Sequence, residues 1–382
     1  MDMSALRPGL FFLSDQLASP PRLGYQIHLL ALIRAIGPLM PTCGFCWMAA
    51  SASPPAGLIP LDPAAAPRGL LSRKRYYLAR AFEHIDREVT PGSVVWVRNY
   101  STALLALPGL RRRRCAGLSS VYDASSILRL EVPDASNRLA VSLSSYVEER
   151  LWPHFDLVRT LNDPMRDYLV RHGVPAERIM VIPVGSEPQA GRWRLRDAPR
   201  RLLYVGSAKA WQGLPALIGA MRILAGRSPQ IGLSIVGPTA GELAGLALPG
   251  NVQVLGRVPH AEIGRVYLDH DLFVLPRPRS PLTETVMPMK ILEAMAFGMP
   301  ILATDLEAIR WTTGPDGAFL VREGGPEALA AAIEAALADP VALAATGARA
   351  LERSARFSWD EIGRGIVREL FPGNESRSAA IG

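Results

Sequence analysis

The sequence predicts an α/β protein with two doubly wound parallel sheets and a last helix that closes back toward the first domain. Short apolar segments alternate with amphipathic segments along the whole chain, as in parallel sheets joined by helices. The alternation stops once, in a polar stretch over residues 186–200, and then restarts. A chain of 382 residues, 49% hydrophobic and 20% charged, is sufficient for two cores and excludes general disorder.

The first half contains five predicted strands and two predicted helices. Short apolar runs predict the strands at residues 10–14, 94–97, 119–123, 157–161 and 179–182. A loop ending at Gly24 leads into an amphipathic helix over 25–36, and a second helix over 165–172 ends at Gly173. Ligands of such sheets bind beyond the carboxyl ends of the strands, in a cleft. We therefore expect the functional residues at those ends.

The second half repeats the pattern with six predicted strands, at residues 201–205, 231–236, 252–255, 272–276, 300–304 and 317–321. The predicted helices span residues 214–224, 259–268, 288–298 and 327–338. A closing helix is predicted over 359–370 because apolar residues recur there at helical spacing. The polar tail from Pro372 onward is expected to be mobile.

The segment from Pro288 to Pro300 is the most informative part of the chain. Pro288 suits the first position of a helix, Gly298 suits a left-handed cap, and Pro300 prevents continuation. A buried strand precedes this helix, and a strand, a loop and a helix N-terminus commonly hold a phosphate through free N–H groups. Lys290 and Glu293 share one face of the helix. They would suit the diphosphate and the ribose hydroxyls of a bound nucleotide.

The alternative for Lys290 and Glu293 is an ordinary ion pair on a solvated helix, worth a few tenths of a kcal/mol. The scarcity of lysine favours a function for Lys290. The chain has only Lys74, Lys209 and Lys290, so a lysine here indicates that a compact ammonium is required rather than a guanidinium.

Cysteine usage and hydropathy exclude several classes of protein. Three cysteines provide no disulfide framework, and the CxxC pair Cys43 and Cys46 is best interpreted as two buried thiols in a reducing compartment. We find no signal-peptide pattern. The longest apolar region, residues 29–50, is interrupted by one arginine and two prolines, which argues against a membrane-spanning helix. No GxGxxG follows a first strand, which disfavours an NAD-dependent dehydrogenase.

Most of the basic excess lies in the first half. Residues 1–185 contain 21 Lys and Arg against 15 Asp and Glu. Two clusters, at residues 73–80 and 111–114, account for it. A solvated face is the ordinary interpretation. The interleaved Tyr76, Tyr77 and Leu78, with Leu107 and Leu110, also suit an anionic membrane surface. Nucleic acid is disfavoured because no recognised binding module accompanies the clusters.

Several motifs, in the correct order, resemble those of the group-one glycosyltransferases with the GT-B fold. In the second half they lie at residues 203–206, 255–263, 271–276, 289–303 and 317–321. In the first half, Gly24 with its helix resembles the family's glycine loop, and residues 179–187 resemble the crossover between domains. The resemblance implies two Rossmann-like domains that face a cleft.

The resemblance implies a division of labour between the domains. Residues 1–185 would bind the acceptor, 186–200 would be a linker, 201–356 would bind a nucleotide-sugar, and 357–371 and 372–382 would be the closing helix and a tail. The acceptor side would include Gly24 and Tyr25. The donor would contact Gly206, Ser207, Lys209, Gly237, Val258, Arg277, Glu284, Met287, Met289, Lys290 and Glu293.

The chain departs from the family at recognisable positions. The first glutamate of the retaining Glu-x7-Glu motif corresponds to Thr285, with Glu284 one residue away. The phosphate-binding Arg and Lys correspond to Ser207 and Gln212, and Lys209 is a neighbouring substitute. These changes make the chain similar to the inverting glucuronosyltransferases of xanthan assembly. That similarity implies that Met289 and Lys290 contact UDP, and that the acceptor is a lipid-diphosphate-linked glycan at the inner membrane.

Two carboxylates are candidates for the catalytic base. Inverting transfer requires a group that takes the proton of the attacking hydroxyl, and Asp123 ends a strand that faces the expected cleft. The alternative is an Asp that caps a helix beginning at Ser125. Glu187, at the crossover, is the second candidate, and its alternative is an exposed linker acid. The histidines have no metal-ligand spacing, and Asp269 and Asp271 only imitate a DxD motif.

The leading hypothesis is a Leloir glycosyltransferase for bacterial surface polysaccharide. It would move a hexosyl or glucuronosyl group from a nucleotide-sugar, UDP being favoured, to a glycan or lipid-linked acceptor. We expect no cofactor and no metal, and a peripheral location on the inner face of the cytoplasmic membrane. The alternatives are an enzyme like the nucleotide-sugar 2-epimerases and a non-catalytic nucleotide-sugar-binding protein.

Overall fold

The computed structural model of the chain describes residues 7–18, 24–48, 53–131, 137–187, 189–259, 262–322 and 325–372. The described chain forms two compact units. The first continues to Leu161, resumes over Met165–Gly185 and ends with the segment that begins at Trp359. The second comprises Asn162–Pro164 and Ser186–Ser358. Three parts of the predictions lie outside the described residues: the tail after Pro372, Pro188 of the linker, and His260 of the helix predicted over 259–268.

The first unit is built on a seven-stranded parallel sheet with the order β3-β2-β1-β4-β5-β6-β7. Its strands are β1 (Leu10–Leu13), β2 (Thr42–Trp47), β3 (Leu58–Leu61), β4 (Val94–Arg98), β5 (Ser119–Asp123), β6 (Leu157–Thr160) and β7 (Ile179–Val181). Its helices are α1 (Gly24–Ile36), α2 (Leu70–Glu88), α3 (Tyr100–Arg113), α4 (Leu128–Glu131), α5 (Arg138–Leu151) and most of α6 (Asp163–Arg171).

The second unit is built on a six-stranded parallel sheet with the order β10-β9-β8-β11-β12-β13. Its strands are β8 (Arg201–Val205), β9 (Gly232–Val236), β10 (Val252–Gly256), β11 (Leu272–Leu275), β12 (Ile301–Thr304) and β13 (Phe319–Val321). Its helices are α7 (Leu214–Arg227), α8 (Ile263–Leu268), α9 (Pro281–Thr285), α10 (Met289–Phe297), α11 (Glu307–Thr313), α12 (Pro326–Ala338) and α13 (Pro340–Ser354).

Right-handed crossovers fix which helices cover each face of the first sheet. The chain moves across the sheet in one direction through α2, α3 and α5, so these helices share one face, where α3 contacts both α2 and α5. The connection from β1 to β2 moves in the opposite direction and places α1 on the other face. The final helix α14 (Trp359–Leu370) packs on α1, and a Cβ on Gly363 would lie 3.0 Å from the Ala35 carbonyl oxygen. The prediction of two doubly wound sheets with a returning last helix is confirmed.

The sequence failed to predict the two strands at one edge of the first sheet. Strand β2 lies within the apolar region 29–50, where α1, a turn and the strand merge into one hydrophobic run. Strand β3 contains Pro60, which is normal only for an edge position such as the one it occupies. Cys43 and Cys46 are three residues apart on β2 and therefore face opposite sides of the sheet. Burial raises the pKa of Cys43 to about 12 and that of Cys46 to about 11, so both are thiols.

The apolar side chains of the two basic clusters do not form a surface, contrary to the membrane interpretation, whereas Arg73, Arg75 and Arg80 are exposed as a solvated face requires. Tyr77, Leu78, Leu107 and Leu110 belong to the core. Lys74 is buried too, with its Nζ 2.7 Å from an Asp15 carboxylate oxygen. The helical period explains the difference. Residues 73–80 lie in helix α2, whose buried face contains Lys74, Tyr77 and Leu78 and whose opposite face is exposed. In the second cluster, Arg113 pairs with Asp86 and Arg114 pairs with Asp156.

Within the described residues, no single helix has both the length and the apolarity needed to cross a membrane. One pair of helices, Pro326–Ala338 and Pro340–Phe357, meets that criterion only when the two are joined, and they bend by 96° at the break.

Candidate functional site

A cavity of about 510 Å³ opens at the carboxyl edge of the second sheet. The chain winds outward from β8 through β9 to β10, and then returns to add β11 on the other side of β8. The cavity is lined by residues that follow β8, β9, β10 and β11 and by the first turn of α10. It therefore lies at the topological switch point, where ligands of doubly wound sheets bind.

Two close backbone approaches at the cavity require glycine. Gly237, which follows β9, has φ of 113°, and a Cβ there would lie 1.9 Å from the Gly206 carbonyl oxygen. Gly213, before α7, has φ of 78°, and a Cβ there would lie 1.7 Å from the Pro276 carbonyl oxygen. Any larger residue would separate the strand ends, because these obstacles are backbone atoms. The glycines thus let the loops pack closely around the cavity.

Arg277 is the most unusual side chain in this cavity because it is a buried cation without a carboxylate partner. It is 5% exposed, and its Nε and Nη1 donate to the Gln212 side-chain oxygen at 3.3 Å and the Val286 carbonyl at 3.2 Å. Its guanidinium carbon lies 4.8 Å from the centre of the Trp211 ring. Among the described residues, no carboxylate comes within ion-pair distance of it. Burial lowers the pKa of Arg277 to about 10, so it remains charged at neutral pH.

The N-terminus of α10 also reaches the cavity, through Met289 and Lys290. Pro288 occupies the N-cap position, one residue before the predicted place, and no side chain caps the helix. Gly298 ends the helix in the left-handed conformation, with φ of 71°, as predicted. The first-turn N–H groups and the helix dipole therefore add positive potential at this wall.

Lys290 and Glu293 form the ion pair that the sequence offered as the ordinary alternative. Lys290 Nζ lies 2.6 Å from one Glu293 oxygen, and the Tyr267 hydroxyl donates to the other at 3.0 Å. The two side chains are 41% and 23% exposed, so the pair is partly solvated and weak. Lys290 lines the cavity, whereas Glu293 does not.

Most of the predicted donor residues converge on this cavity: Gly206, Ser207, Gly237, Val258, Arg277, Met287, Met289 and Lys290. Glu293, Lys209 and Glu284 do not line it. Lys209 is exposed and precedes a short turn, while Glu284 pairs with Arg279 and accepts a hydrogen bond from the backbone of Glu307. The cavity is also lined by residues that were not predicted as donor contacts, among them Trp211, Gln212, Arg257, Ile263 and Val286.

The first unit has its own polar cavity, of about 470 Å³, at the carboxyl edge of its sheet. Side-chain hydroxyls and amides dominate its walls, from Gln16, Asn99, Tyr100, Ser101, Tyr122, Ser125 and Ser126. Arg98, Asp123 and Glu148 supply the charged groups. Among the described residues, Asn99 is the one non-glycine with positive φ, and its side-chain oxygen caps α3 by accepting from Ser101 and Thr102. The walls present donors and acceptors suited to a polyhydroxylated ligand.

Asp123, a predicted catalytic base, ends β5 and lines this cavity. One carboxylate oxygen accepts from Arg159 at 2.9 Å and from the Ser125 hydroxyl at 2.5 Å. The other is buried, lies 3.8 Å from Arg98, and has no hydrogen-bond partner within the described part of the chain. Burial alone would raise the pKa of Asp123, but Arg159 and Arg98 outweigh it and hold that pKa below its usual range. The carboxylate is therefore ionised, and it does not cap a helix at Ser125 because α4 begins at Leu128.

Glu148 is a second carboxylate of this cavity, which the sequence analysis did not identify. It projects from α5, accepts from the Tyr122 hydroxyl at 2.7 Å, and caps α4 by accepting from the Leu128 backbone at 3.0 Å. Burial raises the pKa of Glu148 to about 7. One cavity thus holds two acids whose pKa values are displaced in opposite directions, an arrangement that lets two carboxyl groups take different roles.

The remaining predicted residues are less informative. Gly24 and Tyr25 form the first turn of α1. The Gln26 side chain, in the same turn, donates to the Gln16 carbonyl at 2.6 Å, which ties the helix start to the loop beside the polar cavity. Glu187 is exposed in the second unit. Across the described residues, no group of three His, Cys, Asp or Glu side chains is arranged to hold a metal ion.

Family models match both units of the chain. One described as "Glycosyl transferase 4-like domain" matches residues 14–185, and one described as "Glycosyl transferases group 1" matches residues 199–339. The second match contains the whole cavity with Arg277, and the first contains the cavity with Asp123.

Two named relatives and two solved structures are similar to the chain. The amylovoran biosynthesis glycosyltransferase AmsK of Erwinia amylovora is 30% identical over 193 residues, covering 48% of this chain and 47% of that protein. The phosphatidyl-myo-inositol mannosyltransferase of Mycolicibacterium smegmatis is 29% identical over 179 residues, which is 44% of each chain. The chain therefore spans about half the length of these relatives.

The structural similarity extends over nearly the whole chain. Sucrose-phosphate synthase from Thermosynechococcus elongatus has a TM-score of 0.72 at 20% identity, covering 96% of this chain and all of that one. Anabaena HepE, solved in complex with UDP, has a TM-score of 0.70 at 18% identity, covering 95% and 99%. At these identities the likeness shows the fold, while the two family models show the family. The chain belongs to the group 1 glycosyltransferases and has their GT-B fold.

Proposed function

We propose that the second unit binds a nucleoside-diphosphate sugar, with UDP as the nucleotide, and that the protein transfers the sugar to a glycan or lipid-linked acceptor. The observation that carries the proposal is Arg277. A buried cation without a carboxylate partner is costly, and a ligand that brings negative charge would remove that cost. A diphosphate is such a ligand.

The cavity offers this diphosphate three sources of positive potential. Arg277 is fixed by Gln212 and Val286, the first turn of α10 is uncapped, and Lys290 would exchange its partly solvated bond to Glu293 for the phosphate. The same groups would stabilise the UDP leaving group as the bond to the sugar breaks. Because cationic side chains are present, we propose that the transfer proceeds without a metal.

We propose Asp123 as the base that receives the proton of the acceptor hydroxyl. One of its oxygens accepts no hydrogen bond among the described residues, and the side chain lines the polar cavity of the first unit. In an inverting step the acceptor oxygen bonds to the anomeric carbon, the proton passes to Asp123, and the bond from that carbon to the UDP oxygen breaks. Arg159 keeps Asp123 ionised and therefore able to accept the proton.

The pathway and the donor sugar are proposed from the relatives. AmsK is named for amylovoran biosynthesis and the mycobacterial relative for a phosphatidylinositol lipid. These names support a bacterial surface polysaccharide or glycolipid as the product, made at the inner face of the cytoplasmic membrane. HepE has been solved with UDP and with UDP-glucose, which supports UDP. UDP-glucuronate is the second donor to test, because the exposed Arg257 lines the cavity and would suit its carboxylate.

Calorimetric titration with UDP, GDP, ADP and NAD tests the donor site. We expect the wild type to bind UDP, and Arg277→Met to bind it at least about a hundredfold more weakly, as for loss of a buried charged partner. Leu195→Ser, an exposed position outside the cavity, is the matched control and should bind UDP normally. If the wild type binds none of the nucleoside diphosphates, the transferase proposal fails.

Turnover then separates transfer from its alternatives. We expect UDP release from UDP-glucose or UDP-glucuronate to require a lipid-linked acceptor, and Asp123→Asn to lose about 10²- to 10⁴-fold in kcat while retaining UDP affinity. Conversion of the free donor into an epimer would identify an epimerase instead. UDP-sugar binding without turnover on any acceptor of a lipid-linked panel would favour a binding protein.

A further inference from the structure

The helical layer over one face of the first sheet carries an unusual number of exposed large apolar side chains. They project from α2, α3 and α5 and are Leu70 (77% exposed), Leu71 (51%), Leu104 (46%), Leu139 (83%), Leu143 (66%) and Tyr146 (51%). We name these six residues the leucine edge. Leu139, Leu143 and Tyr146 follow one another at spacings of four and three, which makes them one stripe of α5.

The leucine edge lies at the same edge of the sheet as the polar cavity. Each of the three helices follows a strand of a parallel sheet, so each begins at the carboxyl edge. The six residues occupy the first three turns of their helices. Lys74 in α2 donates to Ser101 in α3 at 2.7 Å, and Tyr100 in α3 shares a 2.8 Å hydrogen bond with Ser144 in α5. These bonds join the three helix starts into one surface.

The exposed charge beside the α2 part of the leucine edge is positive, and the start of α5 carries the exposed Arg138, with the exposed Glu131 at the end of α4. Arg68, Arg73 and Arg75 are exposed at the start of α2, and Arg73 is held over the Trp47 ring with its guanidinium carbon 4.5 Å from the ring centre. None of the three helices has an acidic residue in its first turn. Their N-termini point the same way, so the positive ends of three helix dipoles add to the arginines.

We propose that the leucine edge docks the first unit onto a bilayer that contains anionic phospholipids. Isolated leucines on helix starts would enter the boundary between headgroups and acyl chains, and the arginines would lie among the anionic headgroups. Charge complementarity selects this occupant, because a bilayer offers an apolar layer directly beneath a negative surface. The proposal rests on the proposed function in one respect, that the acceptor is lipid-linked. Tyr100 and Ser101 line the polar cavity and also join the helix starts, so docking would bring the cavity to the headgroup level.

Vesicle flotation tests the proposal with the full-length protein. We expect binding to phosphatidylcholine vesicles that contain phosphatidylglycerol, weaker binding to phosphatidylcholine alone, and a loss of the difference in high salt. The double variant Leu139→Ser/Leu143→Ser should partition about tenfold or more weakly. Val341→Ser, which alters an equally exposed apolar residue (80%) in the second unit, is the matched control and should float like the wild type. Arg68→Gln/Arg75→Gln should weaken binding roughly fivefold per arginine, only on the anionic vesicles.

Two results would overturn the proposal. Equal flotation of the wild type and the double leucine variant would show that the leucine edge does not contact lipid. A wild-type dimer in light scattering that becomes a monomer in the double variant would show that this surface binds a second copy of the chain. UDP titration of the double variant in the absence of vesicles keeps the proposed function separate, because normal UDP binding with lost flotation leaves the donor site intact.

Discussion

Arg159 in the first unit and Arg277 in the second are both almost completely buried, at 4% and 5% exposure, yet their surroundings differ. Arg159 forms an ion pair with Asp123 and donates to the carbonyls of Ile182 and Pro183 at 2.7 and 2.9 Å. Arg277 has an amide, a carbonyl and an aromatic ring as partners, and no acid among the described residues. One charge is neutralised within the fold, and the other has no counter-charge among the described residues.

The comparison shows how one fold class can build two kinds of site. A buried charge that is paired internally fixes the ends of neighbouring strands, as Arg159 does between β6, β7 and the end of β5. A buried charge without a counter-charge raises the free energy of the unliganded protein, and the binding of an anion would lower it again. Substitution of Arg277 should therefore reduce ligand affinity, whereas substitution of Arg159 should reduce the free energy of unfolding.

Removal of the paired arginine should have the largest effect on stability. Arg159→Met leaves the Asp123 carboxylate buried without its strongest partner, so we expect a loss of about 3–5 kcal/mol in the free energy of unfolding of the first unit. Urea unfolding followed by tryptophan fluorescence measures this loss. The double variant Asp123→Leu/Arg159→Met removes both charges and should recover most of it. A single variant within about 1 kcal/mol of the wild type would contradict the role given to the pair.

The stability of the first unit should also depend on pH through Glu148. The folded pKa of about 7 lies above the usual value of 4.5, so the folded state binds more protons than the unfolded state between these values. The stabilising effect of protonation is complete below about pH 4.5 and is lost as the pH rises to 7, by about 3 kcal/mol in total. The measurement is the free energy of unfolding of the wild type and of Glu148→Gln as a function of pH. The difference between the two curves gives the contribution of Glu148. A difference that stays constant over this range would refute the assignment.

Removal of the unpaired arginine should leave stability nearly unchanged, in contrast to Arg159. Arg277→Met removes a buried charge and leaves no acid behind, so we expect a change within about 1 kcal/mol, or a gain. The measurement is thermal unfolding with and without UDP. The wild type should be stabilised by about 2.7 kcal/mol when UDP is present at a hundred times its Kd, and Arg277→Met by much less. Loss of several kcal/mol without UDP would show that Arg277 is structural, and the comparison would fail.

The fold could be predicted from the sequence wherever hydrophobic periodicity was unambiguous. Strands β5 and β8 and helix α14 have the predicted bounds. Strand β2 was missed because it continues the apolar run in which α1 ends. Strand β3 was missed because Pro60 is acceptable only in an edge strand, and the local sequence does not reveal which strand lies at an edge. The apolar residues of the basic clusters were misassigned for a related reason. Which face of α2 is buried depends on the strands beneath it, not on its own composition.

The candidate site shows the same limit. Loops that follow strands could be located, so Gly206, Gly237 and Arg277 were predicted as donor contacts, and all three line the cavity of the second unit. Their environment could not be predicted, because whether a carboxylate accompanies Arg277 depends on parts of the chain that only folding brings together. Glu148 was missed because its partner Tyr122 is 26 residues away, on a strand rather than on the same helix. Burial, which raises its pKa, is a property of the tertiary structure.

The smallest expected effect concerns Lys290, whose bond to Glu293 is partly solvated. Lys290→Met should change the free energy of unfolding by no more than about 0.5 kcal/mol, because an exposed pair three residues apart contributes little. UDP affinity should nevertheless fall roughly tenfold, less than for Arg277→Met, since an exposed ammonium is more strongly screened by water than a buried guanidinium.

Titration with UDP at low and high salt separates the contributions of the two cations, because the contribution of Lys290 should shrink with salt while that of Arg277 persists. Glu293→Gln is the matched control, as it breaks the same pair and should leave UDP affinity unchanged or higher. Equal losses of UDP affinity in Lys290→Met and Arg277→Met would show that the exposure of a cation does not determine its contribution to UDP binding. The difference between paired and unpaired buried charges would then apply to stability alone.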